Sequence, residues 1–291
     1  MATKTRKLKN KKAKAQTPGP CQCHPRVGDV RPAAGCLPES ILKRAAGKLH
    51  LTTKATGKEL RKELEVKLGV EAGQEATFVK ALPLVDSEKD YLLKHYLRPV
   101  KPEKWKDDPD MWLDSTNIES VMKQFEEANP HFEFMGPFPI DFAAPDPYDK
   151  TGGGPKKCLI REMCGIRVTE AQKKGIKSIG IIYNLDPHFK DGSHWVANYV
   201  DLVRHKCYYF DSYGYEPPSQ VAKFMKWLTT QDSRMKLAYN ARRFQFKGSE
   251  CGMYSMYFII RMLMGDEFRP FTRKAPPDSV MLELRDCMFS T

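Results

Sequence analysis

The sequence predicts an α+β fold: a small helical region, then a sheet-bearing core that closes on an apolar helix. Three observations predict it. Between residues 36 and 97 apolar side chains recur at helical intervals. From Ile176 the pattern changes to short apolar runs separated by polar turns, as in buried strands. After Cys251 the run Met256, Tyr257, Phe258, Ile259, Ile260, Met262, Leu263, Met264 is long enough for three turns of buried helix.

Residues 1–35 carry no periodicity and four prolines (18, 20, 25 and 32), and are expected to be a disordered basic tail. Order is expected from Cys36-Leu37-Pro38, with Ile41, Leu42, Ala45, Ala46 and Leu49 on one helix. A second helix spans Gly57 to Leu68 with Leu60, Leu64 and Leu68 on a stripe, and shorter helical pieces follow near 75–82 and 87–96. Together these make a helical N-terminal arm over 36–97, and Pro99, Pro102 and Pro109 follow it as a linker. The remaining 98–291 are assigned to one core domain. Asp114 or Ser115 caps a helix carrying Ile118, Val121, Met122 and Phe125, and Trp112 stands just before the cap. Proline and aromatics over 129–155 read as irregular, ending in the Gly152-Gly153-Gly154 loop. Strands are expected at 176–183, 194–200 and 207–210, a helix near 219–229, and a short strand at 243–246 that delivers the chain to Cys251.

Composition narrows the function classes. No stretch approaches the roughly 20 apolar residues of a membrane span, so no membrane partner is expected. The eight cysteines lack the spacing of a disulfide framework, which favours a reduced, intracellular setting. Cys21-x-Cys23-His24 has ligand types but no second pair at zinc-site spacing, so no metal is expected. The formal charge of +12 is concentrated in Lys4, Arg6, Lys7, Lys9, Lys11, Lys12 and Lys14, a segment able to attract nucleic acid or serve as a nuclear-import signal.

Chemistry gathers at three positions. His194 opens a predicted strand, Asp211 follows another, and Cys251 starts the apolar helix. A helix N-terminus favours a thiolate, the nucleophilic form of cysteine. Gly252 is expected to allow close backbone approach where a substrate carbonyl would sit. Cysteine, histidine and an acid are what thiol acyl transfer needs: nucleophile, proton carrier and a group that fixes the imidazole.

The surrounding words are more specific. Gly-Ser-His-Trp-Val runs from Gly192, and Tyr-Phe-Asp-Ser follows with Asp211 seventeen positions after His194. Gln245 then stands six positions before the cysteine of Glu-Cys-Gly-Met-Tyr. This pattern resembles the Ulp1/SENP and adenovirus-protease-like cysteine peptidases. The resemblance implies a protease core of a central mixed sheet packed by helices, with Cys251 as nucleophile, His194 as general base and acid, Asp211 as orienting acid and Gln245 in the oxyanion hole. Trp112 and Trp195 match the two tryptophans that form a narrow tunnel over a Gly-Gly substrate, although Leu113-Asp114-Ser115 departs from the usual Leu-Asn-Asp. Two indoles admit a backbone and exclude side chains, so cleavage after Gly-Gly follows from exclusion.

A helical region before a compact core, with Pro-Phe-Pro-Ile-Asp-Phe at 137–142, resembles the proteases of African swine fever virus and other nucleocytoplasmic large DNA viruses. Those enzymes cut capsid or core polyproteins during assembly. The resemblance therefore implies Gly-Gly-X polyprotein substrates, a place in the virion and host cytoplasm with the nucleus also open, and no required cofactor. DNA is a candidate activator through the basic N-terminus, by analogy with the adenovirus relatives. Two alternatives stand beside it: a SUMO- or ubiquitin-like deconjugating protease, and a non-catalytic DNA-associated binding module. No self-cleavage is expected at Gly152–Gly154, because a cut there would separate Trp112 from the other site residues.

Overall fold

The computed structural model describes residues 20–27, 35–150, 157–274 and 276–291. The basic segment 4–14 and the Gly152–Gly154 loop lie outside the described residues.

Four helices come first: α1 (Glu39–Lys48), α2 (Gly57–Leu68), α3 (Glu75–Ala81) and α4 (Asp86–Tyr96). Their apolar stripes meet in a cluster that includes Leu42, Leu60, Leu64, Phe78, Val79 and Leu92. The Leu60/Leu64 spacing on α2 is what the helical period requires to fill one face. Helix α5 (Ser115–Ala128) begins at the Asp114 cap: its carboxylate accepts from Asn117 N–H at 2.9 Å, and the Asn117 side chain accepts from Asp114 N–H.

The sheet follows. Strand β1 (Phe132–Pro139), helices α6 (Arg161–Gly165) and α7 (Val168–Lys173), β2 (Ser178–Asn184), β3 (Trp195–Asp201), β4 (Lys206–Phe210), α8 (Ser219–Gln231) and β5 (Lys236–Tyr239) alternate along the chain. Among the described residues the strands lie in the order β1-β2-β3-β4-β5. The outer pairs β1/β2 and β4/β5 are parallel and the inner pairs antiparallel, so the sheet is mixed. The chain closes with α9 (Cys251–Leu263), α10 (Phe268–Arg273) and α11 (Asp278–Met288). One face of the sheet packs against α5, α9 and α11. The other packs against α8 and its neighbours. Helix α9 is largely apolar and buried from Cys251 to Met262, as a central core helix must be. The architecture is the expected α+β core of a mixed sheet packed by helices.

Five expectations are corrected. The proline-rich stretch after Asn129 contains β1: Gly136 and Pro137 sit where the β1/β2 register shifts, and an irregularity is where a strand tolerates a residue without an N–H. A Cβ at Gly136 would stand 2.7 Å from Ile182 O, so the glycine is needed for that approach. Arg243–Phe246 is not a strand: the N–H groups of Phe244 and Gln245 both donate to Ser212 O. The fifth strand is Lys236–Tyr239, an edge whose exposed residues give no alternating pattern to read. The core does not close on α9, because α11 adds Met281, Leu284 and Met288 to it.

The cysteines depart furthest from expectation. Disulfides join Cys21 to Cys287, Cys23 to Cys36 and Cys158 to Cys164. The first spans 266 positions, a pairing that only the folded chain brings together. It also fixes part of the segment expected to be disordered: Gln22 N–H donates to Cys287 O, and Arg98 N–H donates to Gln22 O. Cys21 and Cys23 are thereby spent as metal ligands, and no group of three or more His, Cys, Asp or Glu among the described residues could hold a metal ion. No described helix is long and apolar enough to cross a membrane.

Candidate active site

Antiparallel pairing assembles the first half of the site. Ala197 of β3 lies opposite Phe210 of β4, so the start of β3 and the end of β4 meet at one end of the sheet. His194 precedes β3 and Asp211 follows β4, and seventeen positions of sequence collapse to a 2.8 Å bond between His194 Nε2 and Asp211 Oδ1. Asp211 is 1 % exposed. Its carboxylate also accepts Tyr213 N–H, and its backbone is gripped at both ends by Asn240, which accepts from Asp211 N–H and donates to Asp211 O. A buried carboxylate held this way keeps one orientation.

The second half comes from α9. Cys251 is its first residue and is 2 % exposed. Ser255 Oγ donates to Trp195 O, which pins the second turn of α9 to the start of β3 beside His194. Cys251 stands close enough to His194 to act on its ionisation alongside Asp211. Since Nε2 is committed to Asp211, Nδ1 is the ring nitrogen left to exchange a proton with the thiol. Burial alone would lower the His194 pKa, but the bonds to Asp211 and Cys251 and the charges of both outweigh it, and the value rises to about 9. A Cβ at Gly252 would lie 3.2 Å from Leu113 and 3.3 Å from Trp195, so the glycine lets α9 pack against those side chains.

Gln245 is fully buried. Ser212 Oγ donates to its Oε1 at 2.7 Å, and its Nε2 donates to Lys247 O at 2.7 Å. That bond uses one of the two N–H groups the amide carries. Ser212 thus follows Asp211 for a reason: it fixes which end of the Gln245 amide is the donor. The Cys251 N–H belongs to the first turn of α9, where N–H groups have no partner within the helix.

The two tryptophans meet through Leu113. Trp195 is 8 % exposed and its indole N–H donates to Leu113 O at 2.9 Å, while Trp112 is 47 % exposed. Sequence reading missed what holds this corner. Arg285 of α11 bonds Glu250 through Nε and Nη2, and its Nη1 donates to Pro109 O and Met111 O. It also lies over the Trp105 ring. One guanidinium therefore ties the residue before Cys251 to the backbone just before Trp112. Burial raises the Glu250 pKa despite the lowering effect of Arg285. An acid placed before the cysteine is visible in sequence, but an arginine partner 35 positions away is not.

Residues 112–289 match the family described as the Ulp1 protease family, C-terminal catalytic domain. A putative thiol protease R355 of Acanthamoeba polyphaga mimivirus is 34 % identical over 192 residues, covering 64 % of this chain and 57 % of the relative. A SUMO-1 cysteine protease S273R of African swine fever virus (isolate Pig/Kenya/KEN-50/1950) is 30 % identical over 128 residues, covering 41 % of this chain and 46 % of the relative. The chain spans about half the length of these curated relatives. The crystal structure of the African swine fever virus pS273R protease superposes with a TM-score of 0.59 at 18 % identity, covering 94 % of this chain and 96 % of that one, which shows a shared fold.

Proposed function

The chain belongs to the Ulp1 protease family, and from that premise we propose that it is a cysteine endopeptidase that cuts polyproteins after Gly-Gly. The observation that carries the reading is His194 held between Asp211 and Cys251. In the proposed cycle the proton of the Cys251 thiol resides on His194 Nδ1 while the sulfur attacks the carbonyl carbon of the second glycine. The oxyanion takes the Cys251 N–H and the second N–H of Gln245. The His194 proton passes to the departing amine as the C–N bond breaks, leaving a thioester. Water, deprotonated by the same imidazole, then hydrolyses it. Asp211 holds Nε2 throughout and supports the charged ring.

Glycine specificity is assigned to Trp112 and Trp195, whose shared anchor at Leu113 supports a clamp around a side-chain-free backbone. Residues 36–97 are assigned to an arm and 98–291 to the protease domain. By analogy with its viral relatives the enzyme acts in the virion and host cytoplasm on capsid or core precursors, and the basic N-terminus offers DNA a binding site. A second reading, a SUMO-type deconjugase, draws on the name of the African swine fever virus relative.

The test is cleavage in reducing buffer by wild type and Cys251→Ala. One substrate is an unstructured Gly-Gly-Ala peptide, the other a folded ubiquitin-like protein extended after Gly-Gly. Cysteine-dependent cutting of the short peptide is expected. Cutting of the folded substrate alone moves the assignment to deconjugase, and no cutting of either, with or without DNA, leaves a binding module. A low-salt gel shift tests the DNA contact, and absence of any shift removes it.

A further inference from the structure

A ladder of three side chains leads away from His194 on the face that Tyr213 covers. Tyr213 stacks on the imidazole with ring centroids 4.7 Å apart and planes 20° from parallel. The Arg243 guanidinium carbon lies 5.1 Å from the Tyr213 centroid and 5.1 Å from the Phe246 centroid. Arg243 Nε donates to Gln245 O at 2.7 Å, tying the arginine to the proposed oxyanion-hole residue. Two rings and one hydrogen bond thus fix the direction of the guanidinium. Its terminal nitrogens have no acceptor among the described residues, although the side chain is exposed at the protein surface. Phe246 is 72 % exposed, so the ladder ends in open space.

Arg242 and Lys247 flank it and are exposed. The Asp278 carboxylate beside Phe246 has its oxygens taken by the N–H groups of Phe246 and Lys247 and the hydroxyl of Tyr254 rather than by the guanidinium. A pre-oriented guanidinium offering two N–H groups matches a carboxylate better than any other side chain does. The imidazole delivers its proton to the departing amine, so the chain after the scissile bond passes His194 first. Arg243 stands one ring beyond, within reach of two or three residues of extended chain at ~3.4 Å each.

The geometry points to a leaving-side subsite in which Arg243, held between Tyr213 and Phe246, takes an acidic side chain two or three residues after the scissile bond. This rests on the proposed proteolytic reading.

The test uses the full chain and matched Gly-Gly-Ala peptides with Glu, Gln or Lys at the second and third positions after the scissile bond. Two readouts separate the proposals: kcat/KM with the active enzyme, and binding of the uncut peptides to Cys251→Ala by fluorescence anisotropy. Wild type is expected to favour Glu over Gln roughly fivefold, the scale of a well-formed exposed ion pair, with the ratio shrinking as salt rises. Arg243→Ala brings the ratio to near one. Arg243→Lys loses most of it, because an ammonium neither forks nor stacks, and Arg243→Glu turns it toward Lys. A Glu-to-Gln ratio near one in wild type, or one that Arg243→Ala leaves unchanged, overturns the subsite. If no peptide is cut yet Cys251→Ala binds the Glu peptide more tightly than Cys251→Ala/Arg243→Ala does, Arg243 is an acidic-peptide contact, and the proteolytic reading fails together with the leaving-side assignment.

Discussion

Replacing Arg285 by methionine removes a guanidinium while keeping an unbranched chain of similar reach. Its partner Glu250 is fully buried and Arg285 itself has 3 % of its side chain exposed, so the variant leaves a carboxylate in the core without a counter-charge. Breaking one partner of such a pair costs about 3–5 kcal/mol. The carbonyls of Pro109 and Met111 also lose their donor, and with them the backbone before Trp112 loses its anchor. A double variant, Arg285→Met with Glu250→Gln, recovers the buried-charge part and keeps a deficit of about 1–3 kcal/mol from the two carbonyls. The assay is urea denaturation of wild type, both singles and the double, with midpoints compared at constant slope. The difference between Arg285→Met and the double also depends on pH. Glu250 already has a raised pKa from burial, and losing Arg285 removes two influences that lower it. A carboxylate raised in the folded state favours folding when protonated, so the gap is smallest in the ordinary glutamate range, grows as pH rises through the folded pKa and is constant above it. On the Gly-Gly-Ala peptide kcat/KM of Arg285→Met is expected to fall on the order of 100-fold, the usual result of displacing a binding element by about 1 Å. A stability loss below about 1 kcal/mol, or a double variant no better than the single, refutes the claim that Arg285 fastens the nucleophile to the clamp.

His194, raised to about 9 from 6.5, contributes stability that is complete below about pH 6.5 and is lost as pH rises through about 9. Proteolysis is expected to fall over the same upper limb as the imidazole loses the proton destined for the amine. Asp211→Asn removes a raising influence, so NMR titration of the ring should give a lower value, and an unchanged one refutes the assignment. Gln245→Ala is expected to lower kcat about 100- to 1000-fold with little change in KM, and Ser212→Ala to lower it less; a Gln245→Ala enzyme near wild-type rate excludes the amide from the oxyanion hole. Opening the Cys21–Cys287 link, whose loop spans 266 positions, by a double serine substitution is expected to cost about 2–5 kcal/mol. Thermal melts with and without strong reductant check this, and identical melting temperatures would remove the disulfides from the stability account.

Patterns that repeat at a fixed period, and words only a few residues long, belong to the sequence alone. The helices of 39–96, the Asp114 cap, the three central strands and α9 followed from spacing, because a helix or buried strand imposes its period on the apolar residues that fill its face. His194, Asp211, Gln245 and Cys251 were legible because each stands in a distinctive short word at an element end. Tertiary structure decided what depends on distant partners. The edge strand Lys236–Tyr239 draws its partners from β4 rather than from its own pattern. Arg285 meets Glu250 across 35 positions and Cys21 meets Cys287 across 266, and neither residue carries a local mark of its partner. Asn240 and Arg243 look like ordinary polar residues of a connecting segment. Only the turn that brings residues 240–246 back onto Asp211, Ser212 and Tyr213 gives them buried carbonyls, a carboxylate's backbone and an aromatic ring to act on.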